Sequence, residues 1–176
     1  ALATLQARGA AATEVERLWL ASALIFRSRQ EEALPQLMAL RKAYPHDRDL
    51  LVRTAALLRA LGQPSTRAGA GQAAALLEAE FALRPSDEDL VVQAGDYLAE
   101  AGRLEEASQR FQRITQVAPG DPEAYLRLAS IQWDYYLFDG AAAAIVAARK
   151  KSADPLRFAD KLAAVYESRR DYPRAI

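Results

Sequence analysis

The chain has 176 residues, room for one domain of ordinary size or one stretch of a repeat array. Lys and Arg together number 23, as do Asp and Glu, so with the single His neutral there is no net charge. That balance argues against nucleic-acid and membrane-surface partners, which call for a basic excess or stripe, and the absence of cysteine excludes disulfides, thiolate nucleophiles and Cys-ligated metal centres.

Composition already favours helix. Ala occurs 39 times, Leu, Arg and Glu are scattered throughout, and Asn is absent. No run of 18 apolar residues is free of charge, so no membrane-spanning helix is expected. The opening "ALATLQARGAAATEVERL" has neither a basic leader nor an apolar core, so no signal peptide is read there, and the compartment is not legible.

In chain order, Ala1 to Arg8 reads as the tail of a helix from a preceding unit. An amphipathic helix follows from Glu14, and Pro35 predicts that the next helix starts late or kinks. Pro45 closes this first pair. "DLLVRTAALLRALG" (Asp49 to Gly62) predicts a third helix, and "QPSTRAGAGQ" (residues 63–72) a mobile loop, with a fourth helix around Ala73 and Leu77 up to Pro85. "DLVVQAGDYLAEAG" (Asp89 to Gly102) repeats the third helix without gaps at an offset of 40. "LEEASQRFQRI" then opens on acids and ends before Pro119, and "DPEAYLRLASI" starts another pair whose turn is expected near Gly140. The aromatic run "IQWDYYLF" (Ile131 to Phe138) must place some rings between helices. Beyond Pro155, a last helix carries Leu162, Ala163 and Tyr166.

One period unites these elements. Ala73, Ala107, Ala141 and Ala175 are spaced by 34, as are Pro85 and Pro119, whereas Pro45 precedes Pro85 by 40, which is 34 plus a six-residue insertion. The recurrent Ala lets the second helix of a pair approach the first closely.

The pattern resembles the tetratricopeptide repeat over nearly the whole chain. The unit Glu88 to Asp121 carries the preferred Gly95, Ala107, Phe111 and Pro119, while the family's Trp at the fourth position is replaced by Arg17, Leu51, Val91, Tyr125 and Ala159. The resemblance implies an all-α, right-handed superhelical solenoid of antiparallel helix pairs with about four and a half repeats. The expected boundaries are 1–13 for the tail of a preceding repeat, then 14–47, 48–87 with the insertion 63–72, 88–121, 122–155 and a partial 156–176. Neither end supplies a polar cap, so a piece of a longer array is expected.

Three strings that could suggest catalysis are better read otherwise. Gly69-Ala70-Gly71-Gln72-Ala73-Ala74 fits a dinucleotide-loop pattern but lacks a preceding strand. His46 beside Asp47 has no nucleophile with it, and acidic pairs such as Glu105-Glu106 sit at helix starts, where they favour the helix dipole. No enzyme, cofactor or metal site is therefore expected.

The resemblance places the partner on the face lined by the first helix of each pair. Its binding positions there read Trp19, Arg53, Arg59, Gln93, Arg127, Trp133 and Lys161, with small residues such as Ser130 and Ala164 leaving floor space. Arg53, Arg59 and Arg127 suggest acidic groups on the ligand. The clamp that holds chaperone tails requires Lys and Asn at positions where this chain has Leu18, Val52, Val92, Leu126 and Asp160 and no Asn, so it is not expected. The function expected is a non-catalytic scaffold, bacterial in look, binding a peptide or partner protein on its concave face. The alternatives are a docking arm of a larger enzyme, a polysaccharide-export or secretion protein with groove aromatics stacking on sugar, and a homo-oligomer through terminal helices.

Overall fold

The computed structural model describes residues 7, 13–62, 67–81, 84, 86–154 and 156–175. Among them the regular elements are all helical: α1 (Glu14–Phe26), α2 (Gln30–Ala43), α3 (Arg48–Leu61), α4 (Ala68–Phe81), α5 (Glu88–Glu100), α6 (Leu104–Val117), α7 (Pro122–Asp134), α8 (Phe138–Lys151), α9 (Ala159–Ser168) and the single turn α10 (Tyr172–Ala175). Within each compact unit consecutive helices pack on one another, in the all-α helix-pair class inferred from the period. Most of the expected preceding-repeat tail, as well as Pro85, Pro155 and Ile176, lies outside the described residues.

The first helix of each of the first four pairs opens on a short oxygen-bearing side chain that satisfies a free backbone N–H. Thr13 and Glu16 form a capping box, in which the Thr13 N–H donates to Glu16 Oε2 at 2.9 Å and the Glu16 N–H to Thr13 Oγ1 at 3.3 Å. Asp47 accepts from the Leu50 N–H, Asp87 from the Leu90 N–H and Asp121 from the Glu123 N–H, at 3.0, 3.2 and 3.0 Å.

The turn inside the first, third, fourth and fifth pairs is built differently, by the backbone. Ser28, Gly102, Tyr136 and Arg170 all adopt positive φ, between +57° and +81°. The next residue's N–H reaches back five residues: Arg29 to Leu24, Arg103 to Leu98, Leu137 to Gln132 and Asp171 to Tyr166, each at 2.8–2.9 Å. This is the glycine-type helix ending, used four times but with Gly only at 102. The fourth pair therefore turns at Tyr136 and not near Gly140 as expected; Gly140 lies inside α8, where a Cβ would come within 2.7 Å of the Gln132 side chain.

Two further expectations are corrected. α2 begins at Gln30 and runs through Pro35, so no late start occurs. Residues 68–72, expected in a loop, form the start of α4, while 63–66 are outside the described residues. Gly69 there serves packing: a Cβ on it would lie 2.5 Å from the Leu58 carbonyl oxygen and 2.6 Å from the Gly62 Cα.

The helices group into two compact units, residues up to 83 with 100–102, and residues 84–99 with 103 onward. In the first, α1, α2 and α3 bury Leu20, Leu24, Leu37, Leu40, Leu50 and Leu57 in one cluster. In the second, Phe111 of α6 is fully buried, and its ring fills the space that a side chain on Gly95 of α5 would need. The same ring stacks on Tyr135, with centroids 5.6 Å apart. The Tyr135 hydroxyl donates to Asp96 Oδ1 at 2.9 Å, tying the residue after α7 to α5.

Candidate functional site

Residues three and four apart share one face of a helix. On α7 this puts Glu123, Leu126, Arg127, Ser130, Trp133 and Asp134 in one stripe, while Ala124, Leu128 and Gln132 are buried. On α9, Asp160, Lys161 and Ala164 face that stripe across an open groove of about 790 Å³. Its floor is apolar, made by Leu126, Ala129 and Ala164 with Ile145 of α8.

Neighbouring residues hold its walls. The Trp133 ring meets the edge of Phe138 at 6.3 Å, with planes 81° apart, and Tyr136 meets the same Phe138 at 6.0 Å. The aromatic run thus packs within its own pair and, through Tyr135, on Phe111. Arg157 pairs with Glu123 at 2.5 Å and lies over the Phe158 ring at 4.7 Å, tying the residues before α9 to the start of α7. Arg169 pairs with Asp139, joining α9's end to α8.

The charges in the groove are unequally committed. Arg127 donates to Glu88 Oε2 at 2.5 Å and contacts Asp89 Oδ1 at 3.4 Å. Glu123 is held by Arg157. Asp134, Asp160 and Lys161 are exposed and make no ion pair or hydrogen bond among the described residues.

Of the binding positions expected from sequence, the structure thus brings Arg127, Trp133 and Lys161 together. Gln93 is half-buried on α5 and donates to the Tyr97 hydroxyl at 3.1 Å. In the first unit, Trp19 stands 70% exposed on α1 and Arg53 is exposed on α3. Arg59 pairs with Glu100 at 2.5 Å beside a second, smaller hollow of about 430 Å³ that Arg67, Gly62 and Gly69 also line. Asp134 also faces this groove, as its register on the motif implies, and Asp160, which the sequence suggested only as a mismatch to the chaperone-tail clamp, joins it there. The Tyr135–Asp96 bond left no signal, because its partners lie 39 residues apart.

His46 is exposed in the turn after α2. Among the described residues no group of three or more His, Asp or Glu could hold a metal, and no helix is long and apolar enough to cross a membrane.

A sequence model of the tetratricopeptide repeat matches residues 88–131. No curated protein matches the chain. Among solved structures, MamA from Desulfovibrio magneticus RS-1 is 17% identical, with 92% of this chain and 88% of that chain covered and a TM-score of 0.58. A further crystal structure of MamA is 15% identical, with coverage of 92% and 85% and a TM-score of 0.59. A thermophilic tetratricopeptide-repeat protein of Thermus thermophilus is 18% identical, with coverage of 93% and 88% and a TM-score of 0.53. At such identities the likeness is one of fold. Consecutive helix pairs, a left-handed turn residue recurring at 102, 136 and 170, and these structural likenesses show a tetratricopeptide-repeat fold, within which residues 88–131 match the family's own model.

Proposed function

We propose that the protein is a non-catalytic interaction scaffold that binds an extended segment of a partner protein in the groove between α7 and α9. The groove itself carries this reading: an apolar floor, one aromatic wall held in place by Phe138, and unpaired charges on both rims. Such a cleft suits a chain with alternating anchors, and Trp133 supplies the large, rigid contact area typical of binding hot spots. A repeat protein presents such faces on rigid helices, so little ordering cost falls on the scaffold when it binds.

The test is a display selection of random peptides on the immobilised chain, followed by affinity measurement with a plugged variant, Ala164→Trp, whose indole fills the floor. The variant should first show the parent's helical circular dichroism. Selected peptides are expected to bind the parent and to lose about tenfold or more in affinity for the plugged chain. Peptides that bind both chains equally, or a selection that yields none, would remove the groove as the binding site.

A further inference from the structure

The sequence pattern, through Arg53, Arg59 and Arg127, favours an acidic ligand, but in the groove the guanidinium meant to receive it is already engaged. Arg127 is neutralised by Glu88 at 2.5 Å and approached by Asp89 at 3.4 Å. Glu123 and Arg157 cancel each other at 2.5 Å. The charges left to a ligand are Asp134 on α7, Asp160 on α9 and Lys161 on α9, two carboxylates against one ammonium. With Arg127 committed, the charges left in the groove are therefore negative by one.

We propose that the peptide bound in this groove is basic, presenting one lysine or arginine to Asp134 and another to Asp160 while seating an apolar side chain against Trp133. The inference deepens the scaffold reading above and rests on it. Electrostatic complementarity selects partners and sets register more than it adds raw affinity, so the charge fixes which peptide enters, and the apolar floor holds it. A bulk field does not account for such a preference, because the whole chain carries no net charge. An ion pair formed here would also be shielded on one side by the groove wall, which weakens screening relative to a fully exposed pair.

The same random-peptide selection tests this when it is run in parallel on the parent chain and on an Asp134→Asn, Asp160→Asn double variant. Both positions are exposed and unpaired among the described residues, so the fold should survive, as circular dichroism and thermal melting will show. Peptides from the parent are expected to be enriched in Lys and Arg beside an aromatic or aliphatic residue. They should bind more weakly as salt is raised, and lose about tenfold in affinity for the double variant. Selection of Asp- and Glu-rich peptides, or of peptides with no charge bias, would overturn the proposal, as would equal affinity for the double variant. The plugged Ala164→Trp chain separates the two readings. If neutral or acidic peptides are selected and the plug still abolishes binding, the groove stands and its basic ligand falls; if the plug has no effect, the groove itself falls.

Discussion

α1 and α7 occupy equivalent places as the first helices of their pairs, yet their outward faces differ in kind. On α1 the stripe Val15, Leu18, Trp19, Ser22, Ile25 and Phe26 is apolar apart from one hydroxyl, and it stands in solvent, with Phe26 90% exposed. On α7 the matching stripe is Glu123, Leu126, Arg127, Ser130, Trp133 and Asp134, and half of it is engaged: Glu123 with Arg157, Arg127 with Glu88, Trp133 with Phe138. Register alone thus fixes which residues face outward. What the face can do depends on the neighbouring residues that neutralise some groups and leave others available. The α7 face has that surrounding structure, and so it offers a shaped groove with definite free charges, whereas α1 offers apolar area.

The sharpest break in this comparison uses one residue type in both settings. Phe111→Ala empties the fully buried site that Gly95 and Tyr135 enclose and should cost about 3–5 kcal/mol, measured as a lower urea midpoint. Phe26→Ala should change stability by no more than about 0.5 kcal/mol, since its ring is already in water. A large loss at Phe26 would show that the α1 face is covered in solution. Next in size come two glycines, one in each unit. Gly95→Ala drives a methyl into the Phe111 ring, and Gly69→Ala drives one into the backbone of α3's end. Each should cost about 1–3 kcal/mol, with Gly69 the worse because a backbone yields less readily than a ring.

How much of this was legible in the sequence follows from what each feature depends on. The helix pairs were legible, because the spacing of 34 between Ala107 and Ala141 and between Pro85 and Pro119 is a local, repeated signal. The turns were only half legible. Gly102 announced its turn, but Ser28, Tyr136 and Arg170 take the same left-handed conformation without the residue that usually marks it, because the fold around them imposes it. Gly69 misled in the other direction: a glycine-rich stretch reads as a loop, but here the missing side chains let two helices touch. In the groove, register placed Arg127, Trp133 and Lys161 on one face. It could not reveal that Glu88, 39 residues away, pairs with Arg127 and that Asp89, 38 residues away, lies beside it, so that this guanidinium is already committed.

Three substitutions should raise stability and so sharpen the contrast between necessary and incidental structure. Gln132 is buried against Gly140 with its Oε1 lacking a hydrogen-bond partner, so Gln132→Met keeps the shape, removes the orphaned acceptor and should gain about 1 kcal/mol in urea denaturation. A loss instead would mean that the carbonyl finds a partner in solution, such as an ordered water. Ser28→Gly in the first unit and Arg170→Gly in the second relieve the same left-handed backbone, and each should add somewhat less, about 0.5–1 kcal/mol in thermal melting. If only one of the two gains, the four turns are not equivalent despite their shared hydrogen bond.

The smallest effect compares the two units through their pH response. Each of two second helices begins with an Arg whose guanidinium grips a Glu three residues on, Arg29 with Glu32 in the first unit and Arg103 with Glu106 in the second. The hydrogen bond from Arg29 holds the Glu32 carboxyl below its ordinary range, and that from Arg103 does the same for Glu106. A carboxyl whose folded value is depressed stabilises the fold above its ordinary pKa and loses that contribution as pH falls through the depressed value. Both helix starts should therefore hold through mild acid and loosen only below the usual carboxylate range. The side-chain carboxyl resonances of Glu32 and Glu106, followed by NMR through an acid titration, should move together and below the ordinary glutamate range. Added salt should draw the two glutamates back toward ordinary values, because both pairs are exposed. Separate midpoints would mean that one unit holds its turn more loosely than the other, and the equivalence of the two turns would then be limited to the backbone.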